Sequence, residues 1–390
     1  MKSNRIIIRY TILVIANFFS ISGKAQDLEF GRKIVDTLSS EVFWGRGYTK
    51  DGMKTAGNFL AQQFSEYKLL PMKGKNYYQE YSFSVNTFPG KMELTINDVK
   101  LVPGKDFILA AESKGFSGSG NLVQVDSVSF VDKSSRLIIK LEEKLTMDVS
   151  QEVGDLTIIK ILKSSINKLP NSYKINIENV FRKKFEATNI CGFVNGIIVP
   201  DSFLLITAHY DHLGGLGSDT YFPGANDNAS GVALLLNLAR FYAKNRQRYS
   251  IGFILFSGEE AGLVGSKYFT ENPLIPLNKI RFLTNTDLAG TGIDGITVVN
   301  ASEFPQEFKI LQNVNSEYQL LKAVNSRGKA ANSDHYFFTE KGVPSFFFYT
   351  LGGISYYHDI YDKSETLPLN EHEDLFKLLV SFNKKLMGAE

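Results

Sequence analysis

The run Phe203-Leu204-Leu205-Ile206-Thr207-Ala208-His209-Tyr210-Asp211-His212 decides the fold. It is almost wholly apolar up to Ala208, as expected of a strand covered on both faces. It ends on His209 and Asp211. Gly224-Ala225-Asn226-Asp227-Asn228-Ala229-Ser230-Gly231 follows, and Asn228 to Arg246 reads as a long helix. Val232, Leu235, Leu236, Ala239 and Tyr242 lie on or near one stripe of that helix. Ile251 to Phe256 is a second buried strand, closed by Ser257-Gly258-Glu259-Glu260. Ile280 to Thr286, followed by Asp287, and Ile296 to Val299 add two more. Phe304 to Tyr318 reads as a helix, Pro344 to Tyr349 as a strand and Leu369 to Leu386 as a closing helix. This alternation predicts an α/β domain: a mainly parallel mixed sheet flanked by helices.

Upstream, Leu28 to Leu38 and Gly52 to Leu69 carry helical apolar spacing. From about Tyr78 to Lys174 the pattern shortens to alternating runs such as Tyr81-Ser82-Phe83-Ser84-Val85, which predicts a β-rich insertion. Ser134 to Asn171, rich in Lys and Ile, shows no clear period. Residues 26–77 and 180–390 are therefore read as one catalytic domain and residues 78–179 as the insertion. Lys2, Arg5 and Arg9, the apolar stretch Tyr10 to Ile21 and Gly23-Lys24-Ala25 read as a signal peptide over residues 1–25. The apolar stretch is short for a span of ~20 residues, so no stable membrane anchor is expected. A secreted or periplasmic protein is.

Composition removes several classes. Hydrophobic residues make up 43% of the 390, far from the disordered regime. The 43 Lys and Arg against 41 Asp and Glu leave a net charge of +2, which gives no footprint for nucleic acid. Cys191 is the only cysteine, so no internal disulfide can form, and it reads as a buried apolar residue. No Walker loop, dinucleotide fingerprint or Gly-x-Ser-x-Gly elbow is present. His372-Glu373-Asp374-Leu375-Phe376 lacks the second His of a zinc helix. His212 and His335 read as packing or loop residues.

What remains is a set of metal-ligand residue types at element ends. His209 and Asp211 follow one strand, Glu259 and Glu260 another, and Asp287 a third, where open α/β sheets place their chemistry. Asp227 precedes a helix, and His358 lies near the C-terminus in Tyr357-His358-Asp359. Two His and three carboxylates suit a pair of Zn²⁺ ions with a water nucleophile. Asp227, Glu260, Asp287 and a bridging hydroxide would nearly balance two such ions, leaving Glu259 free as general base. Asp211, two residues from His209, is the natural partner for the other ring nitrogen.

The order of these motifs resembles the di-zinc exopeptidases of clan MH, the family of bacterial leucyl aminopeptidases, glutamate carboxypeptidase and glutaminyl cyclase. Trp44-Gly45-Arg46-Gly47 is similar to the family's N-terminal segment and Ala187 to Glu390 to its core. The resemblance implies a phosphorylase/hydrolase-like zinc exopeptidase fold. It implies that His209 and Asp287 hold one zinc, that Glu260 and His358 hold the other and that Asp227 bridges. Glu259 would be the proton shuttle, Asp211 the partner of His209, and Tyr357 a donor to the substrate carbonyl. His358-Asp359-Ile360-Tyr361-Asp362 keeps the family's His-x-x-x-Asp spacing, and Ser333-Asp334-His335 resembles a recurring tripeptide read as support near the site. The insertion stands where many members carry a protease-associated domain, although its sequence matches poorly.

The expectation is therefore a zinc aminopeptidase acting on peptides or small aminoacyl compounds. Glutaminyl cyclisation and carboxypeptidase polarity stay open on the same scaffold. A non-catalytic receptor-like ectodomain would be expected to lose ligands or the base, and none is missing. Phe346-Phe347-Phe348, Tyr349 and Tyr356 read either as pocket lining or as a buried strand. Nothing in the pattern assigns an oligomeric state.

Overall fold

Nine strands hydrogen-bond into one mixed sheet in a computed structural model that describes residues 28–388. The signal peptide expected over residues 1–25 lies outside the described residues. In chain order the strands are β1 (Leu70–Pro71), β2 (Tyr78–Thr87), β3 (Val180–Val194), β4 (Val199–His209) and β5 (Tyr249–Phe256), then β6 (Ile280–Thr286), β7 (Gly295–Val299), β8 (Val324–Ser326) and β9 (Ser345–Leu351). Their spatial order is β1-β3-β5-β4-β6-β9-β7-β8, with β2 also paired to β3. The central four, β5-β4-β6-β9, are mutually parallel, and β3 and β7 flank them antiparallel. Register brings His209 opposite Phe256 and Thr207 opposite Asn285, so the carboxyl ends of the central strands finish together.

The helices are α1 (Leu28–Leu38), α2 (Gly52–Glu66), α3 (Gly231–Lys244), α4 (Val264–Glu271), α5 (Pro305–Tyr318), α6 (His335–Glu340) and α7 (His372–Leu386). Side chains alternate across a strand. Leu204, Ile206 and Ala208 of β4 join the core closed by α3 and α7, whereas Leu205 joins Phe269 of α4 and Phe338 of α6 on the opposite face. Helix α3 is buried from Val232 through Ala239, which is how an all-round apolar helix must sit. Among the described residues no helix is long and apolar enough to cross a membrane. Cys191 is buried, and burial pushes its thiol up.

Two helix starts differ from the sequence expectation. The helix expected from Asn228 begins at Gly231, because Asp227 and Asn228 take non-helical torsions. The Asn228 side chain accepts the Gly231 N–H, and Asp362 accepts the N–H groups of Asn226 and Asp227, which together hold the turn that precedes the helix. The closing helix begins at His372 and not Leu369, whose φ is +56° and whose N–H goes to the Gly290 carbonyl.

Strand β2 pairs with β3 from Tyr78 to Thr87, so the unit with a core of its own begins after Thr87. That unit holds a five-stranded and a four-stranded sheet. The stretch without a clear period contains Leu137–Glu142 and Thr157–Leu162, paired in parallel. Leu213, Leu216 and Phe222, from the loop after His209, insert into the small unit's core and anchor it beside the ends of the central strands.

Candidate metal centre

Five loops at the carboxyl edge of the sheet converge. His209 ends β4, Glu259 and Glu260 follow β5, Asp287 follows β6, and the chain after β9 returns with Tyr357 and His358. Asp227 enters from the turn before α3. Its two oxygens face different imidazoles: Oδ1 is 3.3 Å from His209 Nε2, and Oδ2 is 3.2 Å from His358 Nε2. Each imidazole meets one further carboxylate, His209 Nε2 with Asp287 Oδ1 at 3.3 Å and His358 Nε2 with Glu260 Oε2 at 3.1 Å. Glu259 sits beside the first group: it, His209 and Asp287 each offer an atom within 4.8 Å of the others. His209, Asp227, Asp287 and His358 are all buried.

Both imidazoles are oriented through their other nitrogen. His209 Nδ1 lies 3.2 Å from the Asp211 main-chain carbonyl, closer than the 3.8 Å to the Asp211 carboxylate. That carboxylate instead accepts the Glu259 and Glu260 N–H groups and the Tyr48 hydroxyl, so it fixes the Glu-Glu turn. His358 Nδ1 donates to the Met147 carbonyl at 2.8 Å, and Met147 N–H donates back to the His358 carbonyl at 2.9 Å. Lys144 adds a bond to the Ser355 carbonyl. The inserted unit thus straps the loop that carries His358.

The turn bearing Asp227 is held from beneath by Arg46, which is wholly buried. Its five N–H groups reach five carbonyls: Tyr210, Leu38, Pro223, Gly224 and Asp227, at 2.7 to 3.1 Å. Burial lowers the Arg46 pKa to about 10, which leaves it charged at neutral pH. Gly224, at φ +58°, has no room for a Cβ, which would overlap the Asp227 carbonyl and the His212 ring.

Neighbouring carboxylates are driven apart in acidity. Burial pushes Glu259 well above the usual range, aided by Glu260, Asp334 and Asp287 and opposed by His209. Burial opposes ionisation of Glu260 too, yet His358 and His212 bring its pKa down to about 2. Asp211 and Asp362 are each raised to about 6, chiefly by burial.

All eight residues singled out in the sequence (His209, Asp211, Asp227, Glu259, Glu260, Asp287, Tyr357, His358) lie in this one region. Tyr357 is half-exposed and stacks on His358 at 3.9 Å between ring centres. Ser333 touches Asp287 at 3.3 Å, and His335 packs on Phe347. His212 is more than packing: its Nδ1 is 2.6 Å from Glu260 Oε1, while Oε2 faces His358. Its place in His209-Tyr210-Asp211-His212 was the only hint. Met147 carried none, since a main-chain acceptor has no residue signature. The aromatic run divides by strand alternation. Phe346 and Phe348 enter the core, whereas Phe347 and Tyr349 line a pocket of about 300 Å³ beside Asp227, Glu259, Asp287, Tyr357 and His358. Tyr356 packs at a tilt against Tyr361 elsewhere. A wider cleft of about 630 Å³ near Arg32 and Lys363 holds none of these groups.

Comparisons with known proteins agree on the architecture. A probable leucine aminopeptidase of Arthroderma otae is 25% identical over 331 residues, 77% of this chain and 88% of that one. A probable zinc metalloprotease of Pyricularia oryzae is 33% identical over 106 residues, 27% of this chain, and the match spans only 21% of that protein's length. The solved structure of a zinc aminopeptidase from Bacillus subtilis superposes with a TM-score of 0.68 at 17% identity, covering 92% of this chain and 94% of that one; at this identity it speaks for the fold. The model of peptidase family M28 matches residues 189–382, a span that contains every side chain of the cluster. The chain belongs to peptidase family M28.

Proposed function

We propose that this chain is a zinc aminopeptidase that holds two zinc ions and releases the N-terminal residue of peptides, with Glu259 as the proton carrier. One observation carries the reading: Asp227 divides its two oxygens between His209 and His358, and each imidazole has a carboxylate of its own. Two three-donor sets sharing one residue suit a dinuclear centre better than a single ion. The donors fit zinc. Bonds of ~2.0–2.2 Å at tetrahedral angles separate neighbouring donor atoms by roughly 3.3–3.6 Å, close to the spacings here. His209 Nε2, Asp227 Oδ1 and Asp287 Oδ1 are buried without a hydrogen-bond partner, which a cation would relieve. Each imidazole has its Nδ1 turned to a main-chain carbonyl, leaving Nε2 bare as a ligand requires.

His209, Asp287, Asp227, Glu260 and His358 would hold the zinc, which when bound would supply Lewis acidity toward the scissile carbonyl and lower the pKa of the attacking water. Glu259 takes a proton from that water as its oxygen bonds to the carbonyl carbon. It returns the proton to the amide nitrogen as the C–N bond breaks, so that a neutral amine can leave. Asp211 fixes the backbone of Glu259 and Glu260 during both transfers. Tyr357, at the pocket wall, donates its hydroxyl to the carbonyl oxygen. Phe347 and Tyr349 face the residue being released.

The choice of aminopeptidase over carboxypeptidase or glutaminyl cyclase is supported by the likeness to the Arthroderma protein, which spans most of both chains. Export is supported by the charged and apolar pattern of residues 1–25. The test is metal quantification together with hydrolysis of leucine p-nitroanilide and its N-acetyl derivative. Bound zinc with turnover of the free amine alone is the expected result. Cleavage of blocked peptides from the C-terminus, or cyclisation of N-terminal glutamine in its place, would overturn it.

A further inference from the structure

Of the residues lining the 300 Å³ pocket, Arg327 is the only lysine or arginine. It follows β8 at the sheet edge, and its main chain is pinned on both sides. Its N–H donates to the Val298 carbonyl, and its own carbonyl accepts the Ala301 N–H. The guanidinium gives one bond to the Tyr349 hydroxyl at 3.1 Å. The nearby cations Lys322 and Lys329 are both used, paired with Asp294 and Glu340. Arg327 has no carboxylate within 4.0 Å among the described residues, yet it lines the same pocket as Asp227, Glu259 and Asp287. Leu288 and Phe347 add apolar surface to the lining, and Asn332, Tyr349 and Tyr357 add neutral polar groups.

A planar fork of donors, fixed at its root and steered by Tyr349, suits bidentate capture of a carboxylate. Asp227 and Asp287 face His209 and His358, and Glu259 is the proton carrier of the reading above, so the partner of Arg327 must arrive with the ligand. A pocket of this size admits about one amino-acid residue. We propose that Arg327 is a specificity-determining residue that pairs with a carboxylate of the substrate, so that peptides presenting an acidic group to this pocket are preferred. This rests on the peptidase reading above. Two sources offer that chemistry: the side chain of an N-terminal Asp or Glu, and the C-terminal carboxylate of a short peptide.

The test uses the full zinc-loaded chain and Arg327→Gln. Values of kcat/KM are compared for glutamyl against glutaminyl p-nitroanilide, and for Leu-Leu against Leu-Leu-amide. The wild type is expected to favour the acidic member of at least one pair, and Arg327→Gln to shrink that ratio by roughly ten- to a hundredfold. Movement in the first pair identifies a side-chain carboxylate; movement in the second identifies the C-terminus. Ratios equal within about twofold in both proteins would overturn the proposal while leaving the peptidase reading intact. Calorimetric binding of glutamate against glutamine, in wild type and Arg327→Gln, reads the same pairing without turnover. A preference for glutamate lost in the variant supports it even if no aminoacyl substrate is cleaved, in which case the peptidase reading alone falls.

Discussion

Replacing Arg46 with Lys keeps the charge but not the shape of the donor. Arginine satisfies five buried carbonyls with five N–H groups. Lysine has three N–H groups, so at least two of those carbonyls lose their partner. A buried polar group left unsatisfied costs ~1–3 kcal/mol, which puts the variant roughly 2–6 kcal/mol below wild type. Set against a usual stability of ~5–15 kcal/mol, that is a large fraction. Chemical denaturation of the zinc-loaded proteins measures it, through the shift in midpoint multiplied by the slope. The control is Arg32→Lys, because Arg32 also bonds two carbonyls, Ser364 and Pro368, but near the surface. Its change should stay below about 1 kcal/mol. Zinc affinity is the second readout, since Arg46 grips the carbonyls of Gly224 and Asp227 on the turn that presents the shared carboxylate. A loss under about 1 kcal/mol for Arg46→Lys, with zinc affinity unchanged, would refute the view that this side chain braces the turn.

Glu259→Gln should keep its zinc and lose ~10²–10⁴-fold in kcat; metal lost along with activity would make Glu259 a ligand. Asp227→Asn should lower the zinc stoichiometry measured by elemental analysis, and an unchanged value would remove Asp227 from the centre. His372 accepts a bond from Asn237 at 2.8 Å, and burial lowers its pKa from 6.5 to about 4. Above pH 6.5 the ring is neutral in both folded and unfolded chains. As pH falls from 6.5 toward 4 the unfolded chain binds the proton first, so stability is lost by up to about 3 kcal/mol. His372→Gln should flatten the pH dependence of the urea midpoint over that window, and parallel wild-type and variant curves would refute the assignment.

The parallel strands were legible because burial on both faces leaves continuous apolar runs such as Phe203 to Ala208. His209, the Glu259-Glu260 pair and Asp287 were legible because each ends such a run. The start of α3 was not: Asn228, read as its first residue, takes non-helical torsions and turns its side chain back onto the Gly231 N–H, while Asp362, 135 residues from Asp227, holds the turn before it. The inserted strands were hard to see because Ser134 to Asn171 pairs with itself in parallel, and Lys occupies several of its outward positions. The contacts of Arg46 and Met147 were hidden for a different reason. Both act through main-chain carbonyls, which every residue possesses and no spelling marks.

The strap between Met147 and His358 makes the appended sheets more than cargo. Two reciprocal bonds tie them to His358, one at its imidazole and one at its main-chain carbonyl, so a tilt of the small unit would carry that ring with it. Trimming the chain to its M28 portion would therefore discard a brace as well as a lobe. Grafting a different lobe at the same point would have to supply a carbonyl in the same place.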